Sequence, residues 1–254
     1  MTNLVCDDHG SFATLRFDGP GKLNAFSYAT YASLGQELDR FAREPRWRAL
    51  ILTGAGRAFC SGQDLDEATQ AEGMSPADMR ARLEMLQQLT RRMLALPKLL
   101  IAAINGPAVG FGAELTLACD IRFASADAYF MFPELSRSLY FTNATLELLP
   151  ALAGDALACD LLLSGRRWSA AEALAAGFVS RVLPGPDLLT ETRRFVEHTL
   201  RAPSDTLQAT IAYVRGRRAR AIEPALRYEI DTFLAMSAAL RRDAATERAT
   251  GEAT

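Results

Sequence analysis

Residues 99–120 read LLIAAINGPAVGFGAELTLACD, an apolar run followed by a glycine-bearing loop and a short helical pattern. The apolar run predicts a buried strand, and the stretch after Gly112 predicts a helix. Glu114 lies in otherwise apolar surroundings, two residues after Gly112. Because an ionised carboxylate is rarely buried without a partner, Glu114 either caps its short helix or has a chemical role.

Residues 49–65, ALILTGAGRAFCSGQDL, repeat this design of an apolar strand running into a glycine loop. Glycine lets the main chain adopt unusual torsions and lets a ligand approach closely, so each loop can direct amide N–H groups outward. In the loop before Glu114 the amides also open a helix, whose dipole favours negative charge. Two such loops that converge on one carbonyl oxygen would form an oxyanion hole. Neither loop has the GxxxxGK[ST] or GxGxxG spacing of a phosphate-binding loop.

A second carboxylate, Glu134, follows an aromatic apolar strand and a proline in FMFPEL (130–135). A carboxylate in an apolar pocket has a raised pKa and can exchange protons near neutral pH. Glu114 and Glu134 are therefore candidates for an acid/base pair, and the alternative for Glu134 is a solvated loop residue after a strand. In the same way, Asp64 and Asp66 can simply start a helix.

Strand and helix patterns alternate along the chain, which predicts an α/β fold. Residues 11–20 alternate like a half-buried strand, residues 27–45 have helical spacing, and residues 77–96 form a long amphipathic helix pattern. From about Ser169 onward the chain is mostly helical. We expect a core over residues 1–195 and a helical C-terminal region over residues 196–254.

Composition excludes several classes of protein. The 254 residues are 49% hydrophobic, which is ample for a core, and a net charge of −2 does not favour binding to nucleic acid. The four cysteines are far apart and form no CxxC pair, so we predict reduced thiols, no metal site and a cytoplasmic location. The N-terminus lacks a signal-peptide pattern, and no apolar run approaches the roughly 20 residues that span a bilayer. We therefore expect no membrane partner.

Five blocks of the sequence resemble the crotonase, or enoyl-CoA hydratase/isomerase, superfamily. In chain order they are GPGKLNAF (19–26), LILTGAGRAFCSGQDL (50–65), PKLLIAAINGPAVGFGAELTLACDIRFAS (97–125), PE (133–134) and LLLSGRRWSAAEALAAGFVSRVLP (161–184). The resemblance implies a spiral of ββα units with C-terminal helices used in trimerisation. It also implies homotrimers or dimers of trimers that act on an acyl-CoA thioester, with coenzyme A as part of the substrate and no other cofactor.

The same resemblance assigns roles to four residues. The main-chain amides of Gln63 and Phe111 would donate to the thioester oxygen and stabilise an enolate. Glu114 would mainly activate water, and Glu134 would mainly exchange the proton at the α-carbon. Isomerase members of the family can use a single carboxylate, so the presence of both favours a hydratase that adds water to a 2-enoyl-CoA.

Coenzyme A binding in this family runs largely through the main chain of two blocks. The positions that match them are Lys22, Leu23, Asn24, Ala25, Ser61, Gly62, Asp64 and Leu65. A basic run with Arg215, Arg217, Arg218 and Arg220 is a further candidate for the CoA phosphates, and its alternative is a solvated helix face.

Two departures from the family pattern keep other reactions open. Phe111 replaces a usual glycine, which leaves the amide donor but places a ring beside the acyl channel. Residues 135–149 contain no glycine where hydratases are usually glycine-rich, so Tyr140, Phe141, Thr142 and Asn143 can narrow the pocket or add polar groups to it. The alternatives are therefore another enolate reaction, such as double-bond isomerisation or decarboxylation, or a non-catalytic binding subunit.

Overall fold

The protein is described by a computed structural model that covers residues 1–19, 21, 23–69 and 74–251, with the main chain alone at 68–69 and from 240 on. Its strands are β1 (Asn3–Asp8), β2 (Phe12–Asp18), β3 (Ala49–Gly54), β4 (Leu99–Ile104), β5 (Ala108–Val109), β6 (Ile121–Ser125), β7 (Tyr129–Met131), β8 (Trp168–Ser169) and β9 (Arg181–Leu183). In the described part of the chain, six of them form one sheet in the order β1-β2-β3-β4-β6-β9. The first pair is antiparallel and the other pairs are parallel.

A second, shorter set of pairings runs beside this sheet. Strands β5, β7 and β8 form a small sheet, and two isolated parallel bridges join Phe26 to Gln63 and Cys60 to Ala108. Each of β2, β3, β4 and β6 is thus followed by a short extended segment that pairs with the next one. This repeated unit of two extended segments before a helix is the ββα spiral, and the predicted fold class is confirmed.

The helices follow the extended segments. They are α1 (Tyr28–Arg43), α2 (Leu65–Thr69), α3 (Pro76–Ala95), α4 (Phe111–Leu117), α5 (Thr145–Ala153), α6 (Asp155–Ser164), α7 (Ala170–Ala175), α8 (Gly185–Thr199) and α9 (Ser204–Gly251), with a 3₁₀ turn at Leu135–Arg137. The predicted helices at 27–45 and 77–96 correspond to α1 and α3. Ser27 and Ser75 cap them by accepting main-chain N–H groups, which is why the helices begin there.

The parallel strands β3 and β4 are buried over their whole length. Alternate residues point to opposite faces: Leu50 and Leu100 pack on the side of α1 and α3, and Ile51 and Ile101 pack on the side of α8. Burial on both faces explains why these strands are continuous apolar runs. The site described below lies where the strands on this core run into their glycine loops.

Helix α9 packs along α3. Arg80 donates to Asp231 at 2.6 Å and Arg91 donates to Glu223 at 2.7 Å. Helix α8, in contrast, covers one face of the main sheet. The boundary at residue 195 and the trimerisation role of the C-terminal region stay predictions.

No helix in the described ranges is both long enough and apolar enough to span a bilayer.

Candidate active site

The two glycine loops contact each other through their main chains. Val109 N–H donates to the Cys60 carbonyl at 2.9 Å. A Cβ on Gly62, whose φ is +97°, would lie 2.8 Å from the Val109 carbonyl oxygen, and a Cβ on Gly112 would overlap the Cys60 carbonyl oxygen. The glycines are therefore needed for the close approach of one loop to the other, and this contact brings Gly62, the neighbour of Gln63, next to Phe111.

The amides of Gln63 and Phe111 lie at this junction. Phe26 bonds to the residues on either side of Gln63, since its N–H donates to the Gly62 carbonyl and its carbonyl accepts from Asp64 N–H, both at 2.8 Å. The Gln63 N–H therefore faces the other way. Phe111 is the first residue of α4, and its nitrogen lies 3.6 Å from the position of a Cβ on Gly62. Among the described residues neither N–H donates a hydrogen bond, so both can bind an anionic oxygen.

The Phe111 side chain lies in the core. Its ring packs against Tyr31 with centroids 4.5 Å apart and against Phe26 with centroids 5.3 Å apart, and only 6% of the residue is exposed. The ring belongs to an aromatic cluster that supports the start of α4, and its expected place beside the acyl channel stays a prediction. The Gln63 side chain is also engaged, because its Nε2 donates to the Tyr28 hydroxyl at 2.6 Å.

Glu114 is buried on α4 with both carboxylate oxygens hydrogen-bonded. Asn143 Nδ2 donates to Oε2 at 2.6 Å, and Thr145 Oγ1 donates to Oε1 at 2.8 Å. Burial raises the pKa of Glu114, while these two donors and the Thr142 N–H oppose the rise by favouring the ionised form. The glycine-free segment thus supplies polar groups, as its sequence suggested, and Asn143 is one of the residues named there. Thr145 was not singled out from the sequence.

Glu134 is buried in a very different environment. It precedes the 3₁₀ turn, and its Oε1 lies 3.3 Å from the position of a Cβ on Gly110, the residue before Phe111. Its Oε2 is buried and has no hydrogen-bond partner among the described residues. Burial and, secondarily, the charge of Glu114 raise the pKa of Glu134 to about 8. Glu134 can therefore hold a proton at neutral pH and release it.

A third buried carboxylate, Glu229, comes from helix α9 and was missed from the sequence. Its oxygens accept the main-chain N–H groups of Ala144 at 2.8 Å and Leu146 at 3.3 Å, at the start of α5. Burial and then the charge of Glu114 raise the pKa of Glu229 to about 8. No sequence pattern marks it, since it lies in an ordinary helical stretch.

The residues proposed for CoA binding lie near this junction where the structure describes them. Lys22 lies outside the described residues. Leu23 is partly exposed, and its carbonyl accepts from Ser61 N–H at 3.0 Å, which joins the two predicted CoA blocks. The Ala25 carbonyl accepts from the Thr2 hydroxyl at 2.5 Å.

Asn24 has a structural role. Its side chain is buried, accepts from Gly19 N–H at 2.9 Å and donates to the Ala58 carbonyl at 2.8 Å, so it holds the first glycine loop in place. Leu65 begins α2 and is 48% exposed. Asp64 lies immediately before α2 and accepts from Asp66 N–H at 3.2 Å, as expected of a residue that starts a helix.

The basic run on α9 is mainly structural, and its assignment to CoA phosphates is wrong for two of its members. Arg215 is 1% exposed and pairs with Asp120 beneath α9. Arg218 donates to the carbonyls of Leu117 and Cys119 at 3.1 and 2.9 Å. These guanidinium groups anchor the helix to the core. The other two arginines, 217 and 220, are exposed.

Within the described ranges, no group of three or more His, Cys, Asp or Glu side chains is arranged to hold a metal ion.

Residues 7–246 match the enoyl-CoA hydratase/isomerase family. A probable enoyl-CoA hydratase of Mycobacterium leprae is 38% identical over 187 residues, which cover 71% of this chain and 64% of that protein. The match thus spans less than two thirds of the length of this relative. The 1,2-epoxyphenylacetyl-CoA isomerase of Escherichia coli is 36% identical over 193 residues, covering 75% of this chain and 73% of the isomerase. A crystal structure of an enoyl-CoA hydratase/isomerase from Xanthobacter autotrophicus has a TM-score of 0.86 at 27% identity and covers 92% of this chain and 86% of its own.

Proposed function

The chain belongs to the enoyl-CoA hydratase/isomerase family, and on that premise we propose that it adds water to a 2-enoyl-CoA thioester. The observation that carries the proposal is the junction at Gly110, which brings the Phe111 amide and the Glu134 carboxyl together beside residue 62. A thioester whose oxygen binds the amides would have its α-carbon close to that acid. The thioester's CoA part would lie along residues 23–25 and 61–65.

The two amides would stabilise the enolate. As water attacks the β-carbon, negative charge develops on the thioester oxygen, and the N–H groups of Gln63 and Phe111 would bind it. One well-aimed donor of this kind is worth about 3 kcal/mol of barrier. The dipole of α4, although this helix is short, would further stabilise the negative charge near the Phe111 amide.

The surroundings of the two carboxylates support a division of roles. Two groups whose environments push their pKa values apart are suited to act as acid and base. Glu114 has donors on both oxygens that favour its ionised form, and each oxygen keeps a lone pair that can accept a proton from water. Glu134 has a pKa of about 8, so it carries a proton at pH 7 and can deliver it to the α-carbon.

A second candidate is a double-bond shift in which Glu134 alone moves the proton between carbons. Two observations favour it. Both oxygens of Glu114 already accept hydrogen bonds, from Asn143 and Thr145, whereas one buried oxygen of Glu134 has no hydrogen-bond partner among the described residues. In that reaction Glu114 would act only as a fixed charge. The assembly proposed for either reaction is a homotrimer or a dimer of trimers.

The purified protein should hydrate crotonyl-CoA or a longer 2-enoyl-CoA, followed by the loss of absorbance of the conjugated thioester. Glu114→Gln and Glu134→Gln should each lower kcat at least about a hundredfold, the usual scale for an acid/base group. Glu223→Gln, an exposed member of an ion pair on α9, is the control and should leave the rate unchanged.

A wild-type protein without turnover on a panel of 2-enoyl chain lengths would contradict hydration. A 3-enoyl-CoA separates the candidates: if only the double-bond shift occurs, Glu114→Gln retains it and Glu134→Gln loses it.

A further inference from the structure

Glu229 poses a question that the proposed chemistry does not answer. It is fully buried on α9 and is hydrogen-bonded to the segment that holds Glu114. Buried carboxylates are costly unless they are hydrogen-bonded, and the partners of Glu229 are main-chain N–H groups rather than a basic side chain. These partners lie 85 and 83 residues away along the chain, at Ala144 and Leu146.

The N-terminus of α5 depends on Glu229 because it has no cap of its own. Ala144 occupies the N-cap position without a side-chain acceptor, and its φ of +60° is in the left-handed region that non-glycine residues rarely adopt. The first N–H groups of a helix need an acceptor. Glu229 supplies it from another helix and so fixes the conformation around Ala144.

The residues on both sides of Ala144 are the ones that bind Glu114. Asn143 and Thr145 each direct a donor to one oxygen of that carboxylate. Their main chain is held by Glu229 and their side chains hold Glu114. A shift of this three-residue segment would therefore change both hydrogen bonds to Glu114 together.

We propose that Glu229 is a positioning residue, which through the main chain of residues 144–146 holds the Asn143 amide and the Thr145 hydroxyl on Glu114. This inference rests on the proposed function only where it concerns the rate. The contacts that carry it link α9 to the base of the reaction, so docking of the C-terminal helix and water activation are coupled in one chain of hydrogen bonds.

Few other ionisable groups face Glu229. Glu114 approaches it from α4, and Tyr140 approaches it from the connection before α5. On the adjoining helix α3, Arg80 and Arg91 pair with other carboxylates of α9. No arginine or lysine among the described residues is paired with Glu229. It can therefore act on Glu114 through its hydrogen bonds to the segment at 144–146 and through its charge, and loss of the charge alone would lower the pKa of Glu114.

The test compares Glu229→Gln with the control Glu223→Gln on the same helix. Loss of a hydrogen bond to a charged group is expected to lower kcat of Glu229→Gln about tenfold, with KM within about twofold of wild type. Weaker hydrogen bonds from Asn143 and Thr145 would stabilise ionised Glu114 less and so raise its pKa. The acidic limb of the kcat–pH profile should therefore move to higher pH. A cap that is only structural would leave that limb in place.

Crystal structures of the wild type and of Glu229→Gln provide a readout that needs no turnover. The inference predicts that Asn143 Nδ2 or Thr145 Oγ1 moves beyond 3.5 Å of Glu114 in the variant. If the wild type has no activity, the proposed function fails and this distance alone decides the inference.

Unchanged distances, or a pH profile and kcat equal to those of Glu223→Gln, would overturn it. Should the glutamine variant fail to fold, Glu229→Asp keeps the carboxyl group on a shorter side chain and should show the same shift of the acidic limb. If neither variant folds, Glu229 is a purely structural residue and the inference is overturned.

Discussion

The two halves of the candidate site are built in different ways. In the glycine-loop half, residues 54–63 and 105–112, the contacts join main-chain atoms to main-chain atoms. Carbonyl oxygens and amides approach each other closely because glycine has no side chain. In the carboxylate half, Glu114, residues 134–146 and Glu229, each contact involves a side chain, and the Glu229 side chain comes from a distant helix.

The two halves differ in how easily a single substitution can alter them. A site built from main-chain amides has few residue requirements beyond the glycines that let the loops approach each other. The carboxylate half can be altered by single side chains that change which acid is ionised and which is not. The chain resembles proteins named as a hydratase and as an isomerase to a similar degree, and this is the half in which such a choice would be made.

The largest effect should come from disturbing the backbone half. Gly112→Ala places a methyl group on the Cys60 carbonyl oxygen and must push the two loops apart. We expect a loss of roughly 1–3 kcal/mol of unfolding free energy from the overpacking. The activity should fall at least about a hundredfold because an oxyanion donor is misplaced. Denaturant unfolding measures the loss of stability, and kcat measures the loss of activity.

Gly185→Ala is the matched control, because a Cβ there has no neighbour within 4 Å. A wild-type kcat in Gly112→Ala would show that the position of the amides does not depend on the contact between the loops, contrary to this description of the backbone half.

A smaller effect should come from one donor in the carboxylate half. Thr145→Val removes the hydroxyl that bonds Glu114 Oε1 and keeps the shape of the side chain. We expect kcat to fall about tenfold, as for one hydrogen bond to a charged group, with the acidic limb of the pH profile at higher pH. Kinetics over pH measure this.

Thr192→Val is its control, because Thr192 is equally buried and bonds only to Leu188 within its own helix. Equal rates and equal profiles in the two variants would show that Thr145 does not act on Glu114.

The last effect concerns the pH dependence of stability and leaves activity aside. Glu134 and Glu229 have pKa values of about 8 in the folded protein, above the ordinary value of about 4.3 in an unfolded chain. Between these two pKa values the folded state binds more protons than the unfolded state. The stabilisation by the bound protons is therefore complete below the unfolded-chain pKa and decreases as the pH rises towards 8. The slope is at most about 1.4 kcal/mol per pH unit for each acid.

Urea unfolding at intervals from pH 5 to pH 9 tests this slope. Glu134→Gln should flatten it, and Glu223→Gln should not. A stability that rises with pH over this range in the wild type would contradict the burial of two protonated acids.

The sequence was informative about the backbone half. Apolar runs that end in glycine predicted β3 and β4 and the loops after them, because this half depends on residues close together in the chain. It also singled out Glu114 and Glu134 as carboxylates in apolar surroundings, and both are buried. The N-terminal strand β1 was not predicted, since its residues are polar at several positions and it lies at the sheet edge.

The carboxylate half could be predicted only in part. The absence of glycine in residues 135–149 indicated an altered pocket, but not which atoms would bond. Glu229 looks like any glutamate of an amphipathic helix, because its role depends on a main-chain segment 85 residues earlier. The opposite error occurred at Arg215. Its place in a basic run suggested an exposed side chain, but the structure buries it in an ion pair with Asp120.

The most direct test of the central claim, that Glu134 carries the α-proton while Glu114 serves the water, is solvent deuterium exchange into a saturated acyl-CoA, which cannot be hydrated. With butyryl-CoA in D₂O, nuclear magnetic resonance should show α-carbon exchange in the wild type and in Glu114→Gln. The exchange should be at least about a hundredfold slower in Glu134→Gln. Equal exchange in Glu134→Gln and the wild type, or loss of exchange in Glu114→Gln alone, would contradict it.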